Sequence, residues 1–362
     1  LNKPVILRLL GIAILVAVII SGVLIKNNMT EGPGRENRLA AVQATQIKGF
    51  IGGEKAAFFE DEAVKAALLK RGIAVDYKTA GSLEMLNSDY LSNSDFIFPG
   101  SQNILEMYKK AYGNGENEII FNSPLVIYTW DNIVDALVKR GIAHNIDGTY
   151  FAVDFAKLID LALAGSQWPD IGVPDLYGKI IITSTDPLKS NSGNEFFALM
   201  ANVLAGDVIN MDSLNTVLPK LKEYYARVGY MENTSSVLFE QYLKTGKPMI
   251  IGYENQLIEF AVQNPDVWNK AKSKVRVLYP VPTIWSSHPL IVIKPNARQL
   301  LKALTDTELS KLAWERHGFR TGLGWIEADA NKLDGLGIPD RIDKIVPLPK
   351  PEVMDTLINN LK

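Results

Sequence analysis

The sequence predicts an α/β fold of two lobes built on parallel sheet, preceded by one N-terminal transmembrane helix. Three observations predict it. Short β-branched runs alternate with helically spaced apolar residues, joined by short polar connections. Two long apolar extended segments, at 117–130 and 282–293, have the length to pass from one lobe to another. The first 25 residues are of another kind, an unbroken apolar run behind Lys3 and Arg8.

That run, 9–25 with Val5 to Leu7 extending it, reaches the roughly 20 residues that cross a bilayer when Arg8 snorkels. A cleaved signal peptide competes, but Ser21-Gly22-Val23 leads into Leu24-Ile25-Lys26 with no small-x-small site. The expectation is an uncleaved signal anchor over 1–26, a flexible linker over 27–45 around Gly32-Pro33-Gly34, and a body outside the cytoplasm. The chain of 362 residues carries a net charge of −2 and no cysteine. That balance speaks against nucleic acid as a partner, and the missing cysteine excludes disulfides, thiolate metal sites and a lipid-modified N-terminal cysteine.

In the body, 46–51 reads as a strand broken by Gly52-Gly53-Glu54-Lys55. A helix over 56–70 follows, with Phe59, Ala63, Ala66, Ala67 and Leu69 near one face and Arg71-Gly72 as its stop. Strands at 73–77 and 95–98 come next, then a helix over 104–112. Pro124 argues that 117–130 is two strands joined end to end. Helices over 132–139 and 155–164 precede 180–204, which opens on a buried strand at 180–183. Asp186-Pro187 breaks that strand, and a polar loop through Gly193 leads to a helix carrying Phe196, Phe197, Leu199, Met200, Val203 and Leu204. Helices over 214–228 and 236–243, a strand at 247–251, a helix over 257–263, a strand at 275–280 and helices over 298–304 and 306–317 complete the body. The tail at 346–362 closes with an amphipathic helix bearing Val353, Met354, Leu357, Ile358 and Leu361 on one side.

No catalytic motif stands out. His144, His288 and His317 are scattered without partners at i+3 or i+4, so neither zinc nor another metal is expected, and no cofactor-binding fingerprint is complete. What recurs is a strand ending in a small polar loop at a helix start. It occurs at Gly52-Gly53-Glu54, Gly100-Ser101-Gln102-Asn103, Ser190-Asn191-Ser192-Gly193 and Tyr253-Glu254-Asn255-Gln256. Helix starts carry unpaired N–H groups and partial positive charge, so each loop is either an ordinary cap or a cradle for an oxyanion or carboxylate. In open sheets ligands bind at the carboxyl ends of strands, where four such loops can converge. Tyr253, Trp130 and Trp285 are candidates to stack on a ligand ring or to fill core.

With these residues in view, the chain resembles the type II periplasmic-binding-protein family, the solute receptors of ABC importers, over about 46–322. Asn122-Ser123-Pro124-Leu125-Val126-Ile127 resembles the family's first interlobe crossing and His288-Pro289-Leu290-Ile291-Val292 its return. The stretch from Gly178-Lys179-Ile180 to Ser192-Gly193 resembles its ligand loop, and the helix ending Gly318-Phe319-Arg320 its late helix. The loops are most similar to the branch binding molybdate, tungstate, sulfate, phosphate or iron. The resemblance implies one lobe from 46–127 plus 286–345 and another from 128–285, closing on ligand by hinge motion. Carried over, the ligand loops fall on Gly53, Glu54, Ser101, Gln102, Ser192, Gly193, Tyr253, Glu254 and Asn255, with Ser190 and Asn191 adding donors. Glu54 and Glu254 would disfavour a free oxyanion unless they point away or are neutralised.

The expected function is a membrane-anchored, extracytoplasmic, non-enzymatic solute-binding protein. It captures a small polar solute, an oxyanion or another small molecule or ion, for an ABC permease or other membrane protein. The alternative is a sensor or structural module of the same fold that signals to a membrane partner. An enzymatic use, such as hydroxymethylbilane-synthase-like chemistry, lacks its cofactor cysteine.

Overall fold

A computed structural model describes residues 44–321, 335–342 and 344–362. The expected anchor at 1–26 and the linker up to residue 43 lie outside the described residues. Among the described residues no helix is long and apolar enough to cross a membrane.

The strands are β1 (Thr45–Ile51), β2 (Ile73–Thr79), β3 (Phe96–Phe98), β4 (Asn117–Trp130), β5 (Ala143–Ile146), β6 (Tyr150–Asp154), β7 (Met249–Tyr253), β8 (Val275–Val281), β9 (Trp285–Val292) and β10 (Arg320–Thr321). They follow the order β2-β1-β3-β9-β4-β8-β6-β5, with β7 and β10 also pairing with β4. β4 is a single strand of 14 residues shared by two sheets. Its first part, up to Pro124 opposite Trp285, pairs with β9. From Leu125 onward it pairs with β7 and β8. Pro124 has no N–H to offer a ladder and sits where the partners change, so the strand continues through it.

This corrects the expectation of a purely parallel sheet. β1, β2 and β3 are parallel, as are β6 and β8, but β9 runs antiparallel to β3 and β4, and β4 antiparallel to β7 and β8. A strand that leaves one lobe in the direction of its home strands enters the other against them. Mixed sheets are therefore built into any chain that crosses twice. The return crossing is stitched to the first: Leu125 N–H donates to the Ile284 carbonyl at 3.0 Å, and the Thr283 hydroxyl donates to the Leu125 carbonyl at 2.6 Å.

Several local expectations change. The helix expected over 56–70 is two, Ala56–Glu60 and Glu62–Leu69. Asp61, extended at φ −64 and ψ 126, breaks the run and caps the second helix by accepting from Ala63 N–H. The phase shift buries Val64, Ala67 and Leu68 and leaves Ala63 exposed. Residues 180–183 are extended but form only a single parallel bridge, Thr183 with Ile250, rather than a strand. The helix beyond starts at Asn191 and runs to Ala205, so Asn191, Ser192 and Gly193 are its first turn and not a preceding loop. From Phe196 to Ala201 every side chain of that helix is fully buried. It packs in one core with Val353, Met354, Leu357, Ile358 and Leu361 of the C-terminal segment, whose helix spans Pro351–Asn359. Each such apolar side chain contributes roughly 1.5–3 kcal/mol when buried. The β5–β6 hairpin has no counterpart in the sequence expectation.

Candidate functional site

The carboxyl ends of β1, β2 and β7 and the residues after the extended 180–185 segment open on one cleft of about 520 Å³, and the turn after β3 opens through Ser101 on the space beside it. Gly53, Glu54, Ala80 and Ser82 line it from one side, and Ser190, Asn191, Ser192, Thr234 and Tyr253 from the other. An adjoining compartment of about 280 Å³ shares Ser82, Glu84, Lys189, Ser190 and Asn191 with it. The cleft therefore follows from topology: every strand that feeds it ends there and hands the chain to a helix or helical turn.

Three helix starts meet in this space. The helix Asn191–Ala205 has Ser190 as its N-cap with no capping side-chain bond, and Gln102–Tyr112 has Ser101 in the same state. The first-turn N–H groups of both are left without a capping side chain. The third helix, Ser235–Thr245, is capped by Thr234, which accepts from Val237 N–H. Ser192 is occupied structurally, its hydroxyl 2.8 Å from that of Thr185 and 3.1 Å from that of Ser190. Gly193 is required by close approach: a Cβ there would lie 2.2 Å from the Thr185 carbonyl oxygen.

Under the cleft lies a buried polar floor. Asn191 reaches across the two lobes, its Nδ2 donating to the Gly100 carbonyl at 2.7 Å. The same nitrogen is 2.9 Å from Glu195 Oε1 and 3.1 Å from the Tyr253 hydroxyl. Ser286 on β9 donates to the same Gly100 carbonyl at 2.8 Å. Beside it Lys55, fully buried, is ion-paired with Glu54, and His288 Nδ1 stands 3.0 Å from Lys55 Nζ and 3.2 Å from Glu54 Oε1. Burial alone would raise the Glu54 carboxyl, but Lys55 and His288 overcome it and hold Glu54 far below the usual carboxylate range. Burial, reinforced by the Lys55 charge, pushes the His288 imidazole down to about 4. Glu195 has no such cation. Burial pushes it up to about 8 against the pull of its Asn191 hydrogen bond, so it is neutral at pH 7. Glu195 Oε2 and His288 Nε2 are buried without a hydrogen-bond partner.

Two lobes joined by a shared strand and a return crossing, with strand ends from both facing one cleft, define the architecture. The fold is that of the type II periplasmic binding proteins. No protein-family model matches the sequence, and no curated protein matches it; the likeness lies in the structure. Apo ferric ion-binding protein A of Pasteurella haemolytica superposes with a TM-score of 0.59 at 12% identity, covering 88% of this chain and 96% of that one. AfuA of Actinobacillus pleuropneumoniae, solved with exogenous fructose-6-phosphate bound, gives 0.54 at 12% identity, covering 87% and 96%. The sulfate-binding protein SubI of Mycobacterium tuberculosis gives 0.51 at 16% identity, covering 84% and 94%.

Within this periplasmic-binding-protein fold, the eleven candidate residues divide. Gly53, Glu54, Ser101, Ser190, Asn191, Ser192 and Tyr253 line the cleft or its adjoining compartment. Gln102, exposed, faces a different hollow, beside Trp285 and the 345–352 segment. Gly193 serves helix packing. Asn255 is buried against Ser123, whose hydroxyl accepts from its N–H at 3.2 Å. Glu254 turns away to the hinge, where Arg320 Nε donates to Oε1 at 2.7 Å and Nη2 to Oε2 at 2.9 Å. The Tyr279 hydroxyl adds a bond to Oε2 at 2.6 Å.

The Gly318-Phe319-Arg320 motif explains itself here. Gly318 takes φ +69 where a Cβ would strike Ile258, Phe319 stacks on Phe121 of β4 at 4.6 Å, and Arg320 neutralises Glu254. Of the aromatic candidates, Trp130 stacks on Tyr242 in core and Trp285 faces the Arg320 guanidinium at 5.9 Å, leaving Tyr253 on the cleft.

Sequence reasoning missed 79–84 and 233–236 as cleft segments, and Lys55, Glu195 and Ser286 as its floor. Both missed segments obey the rule applied elsewhere: polar residues directly before a helix or helical turn. Among the described residues no three His, Cys, Asp or Glu side chains gather as a metal site requires.

Proposed function

We propose that this protein is the solute-binding component of an ABC-type uptake system, held to the membrane by its N-terminal segment with its body outside the cytoplasm. It captures a small anionic solute in the interlobe cleft and performs no covalent chemistry. The observation that carries the reading is that helix starts from both lobes, Ser101 on one and Ser190 on the other, meet in the adjoining compartment, which Ser190 and Asn191 share with the cleft. Helix N-termini favour negative charge, and at the rim stand Lys189, ion-paired with Asp186 at 3.9 Å, and the carboxylate of Glu84, which accepts from Gly81 N–H. The two carboxylates that stood against an anion are each paired with a cation, Glu54 with Lys55 and Glu254 with Arg320. The structural neighbours include a sulfate-binding protein and one holding fructose-6-phosphate, beside a ferric ion-binding protein and a chain named for spermidine/putrescine transport, so the anion reading rests on the cleft itself.

The test is calorimetry and thermal shift of the full chain against sulfate, phosphate, molybdate and small organic anions, beside neutral sugars, amino acids and polyamines. An anion present at a hundred times its Kd should stabilise the protein by about 2.7 kcal/mol. Stabilisation by neutral or cationic solutes alone defeats the anion assignment, and no binding across the panel defeats the transport reading. Mass measurement of the native N-terminus tests the anchor, which fails if the chain begins after residue 25.

A further inference from the structure

The smaller compartment beside the polar cleft is two-faced: Ser101, Asn103, Asn194, Glu84 and Asp355 line it on its polar part, and apolar side chains line the rest. Leu83, Ile104, Met107, Leu188 and Met354 project around it from four separate segments of the chain. Leu83 is 51% exposed and Met107 and Leu188 are half-buried, so three of the five are left partly uncovered around one hollow, while Ile104 and Met354 are buried in its wall. Scattered exposed apolar residues need no explanation, but several converging on a concave space do. The hollow is continuous with the polar cleft through Ser82, Lys189, Ser190 and Asn191. We propose that it is an apolar subsite of the same binding site, and that the solute is an amphipathic anion: a charged group at the start of the helix Asn191–Ala205 and a short hydrocarbon portion between Met107, Leu188 and Met354.

This rests on the anion reading above and names the remainder of the molecule. The C-terminal segment makes the subsite a fixed shape. Its helix is held in the core of one lobe by Val353, Leu357, Ile358 and Leu361. It reaches the other lobe through Glu352, paired with Lys110 at 2.5 Å, and the Pro349 carbonyl, which accepts from Asn103 Nδ2 at 3.2 Å. Met354 therefore closes a wall that both lobes contribute to. An oxyanion alone would use the polar cleft and leave this wall without a task.

The experiment is calorimetry of the full chain with inorganic phosphate and its n-alkyl monoesters from methyl to hexyl, and with sulfate and the matching n-alkyl sulfates. Burying each methylene should raise affinity about fourfold until the hollow is full. In Met107→Asn, and independently in Leu188→Asn, the ratio of hexyl-ester to inorganic-anion affinity should fall at least tenfold, with a cooperative melt showing each variant folded. Binding of inorganic anion with no gain along either series overturns the subsite and spares the anion reading. A gain that survives both substitutions also overturns it, because the chain is then bound elsewhere. Absence of binding by every member of both series overturns the subsite together with the anion reading.

Discussion

Glu54 and Glu254 stand at equivalent places in two lobes. Each follows a glycine-containing strand, β1 or β7, and each lies in the first turn of the helical segment beyond it. Their surroundings differ. Glu254 is fully buried at the hinge, with a bidentate guanidinium and a phenol satisfying its oxygens. The Glu54 side chain keeps 17% exposure at the cleft and shares its oxygen with Lys55 and His288. One carboxylate locks the crossing, and the other helps floor the cleft. The local sequence is the same in kind, so the counter-ion decides the role. For Glu54 the counter-ion is the next residue; for Glu254 it lies on β10, beyond the return crossing.

The contrast can be broken from the hinge first. Arg320→Met leaves Glu254 buried and unpaired and should cost about 3–5 kcal/mol in urea denaturation, most of it recovered in the Arg320→Met/Glu254→Met double variant. Lys55→Met should cost less, about 2 kcal/mol, because Glu54 can rehydrate through the cleft. Equal losses would mean that the two sites are alike after all.

Glu195 supplies an effect between these two, and its sign is specific. Its folded pKa is raised to about 8, so the folded state holds a proton that the unfolded state has released, and stability falls as pH rises from about 4.5 to 8. His288 has the opposite slope. Depressed to about 4, it is neutral when folded while the unfolded ring is protonated below about 6.5, so stability is lost as pH falls from 6.5 toward 4. Between pH 4.5 and 6.5 the two slopes offset each other, each about 1.4 kcal/mol per pH unit. Glu195→Gln should stabilise the protein by on the order of 3 kcal/mol at pH 7. It should also uncover a rise in stability from pH 4.5 to 6.5, read from urea midpoints across pH. A flat profile in the variant would remove His288 from the account.

Gly193→Ala forces a methyl group against the Thr185 carbonyl and should cost about 1–3 kcal/mol in thermal or chemical unfolding. The smallest effect on stability belongs to Asn191→Ala, about 1 kcal/mol for the bond to Gly100. Its signature lies in binding: faster ligand dissociation in stopped-flow, since the residue ties the lobes together across the cleft.

Much of this arrangement was legible in the chain. Strands rich in β-branched residues, the two crossings and the helix-start loops all have local or periodic signatures. What was hidden depends on distance in sequence. Nothing near Glu254 announces Arg320, and nothing near Asn191 announces the Gly100 carbonyl. Lys55 was visible beside Glu54, but its burial, which turns a surface charge into a counter-ion, was not. The β5–β6 hairpin escaped because Ala143–Ile146 is only four residues long and includes the exposed His144 and Asn145. The helix break misjudged at Asp61 has a local cause: its capping side chain outweighs apolar spacing in setting where the second helix starts.

One feature of β4 reaches beyond binding. Because a single strand supplies a middle rung to both sheets, with Pro124 and Leu125 at the handover, neither lobe is a removable module. Removing residues 117–130 would take a central strand from both sheets at once. The two lobes must therefore be made, and lost, together.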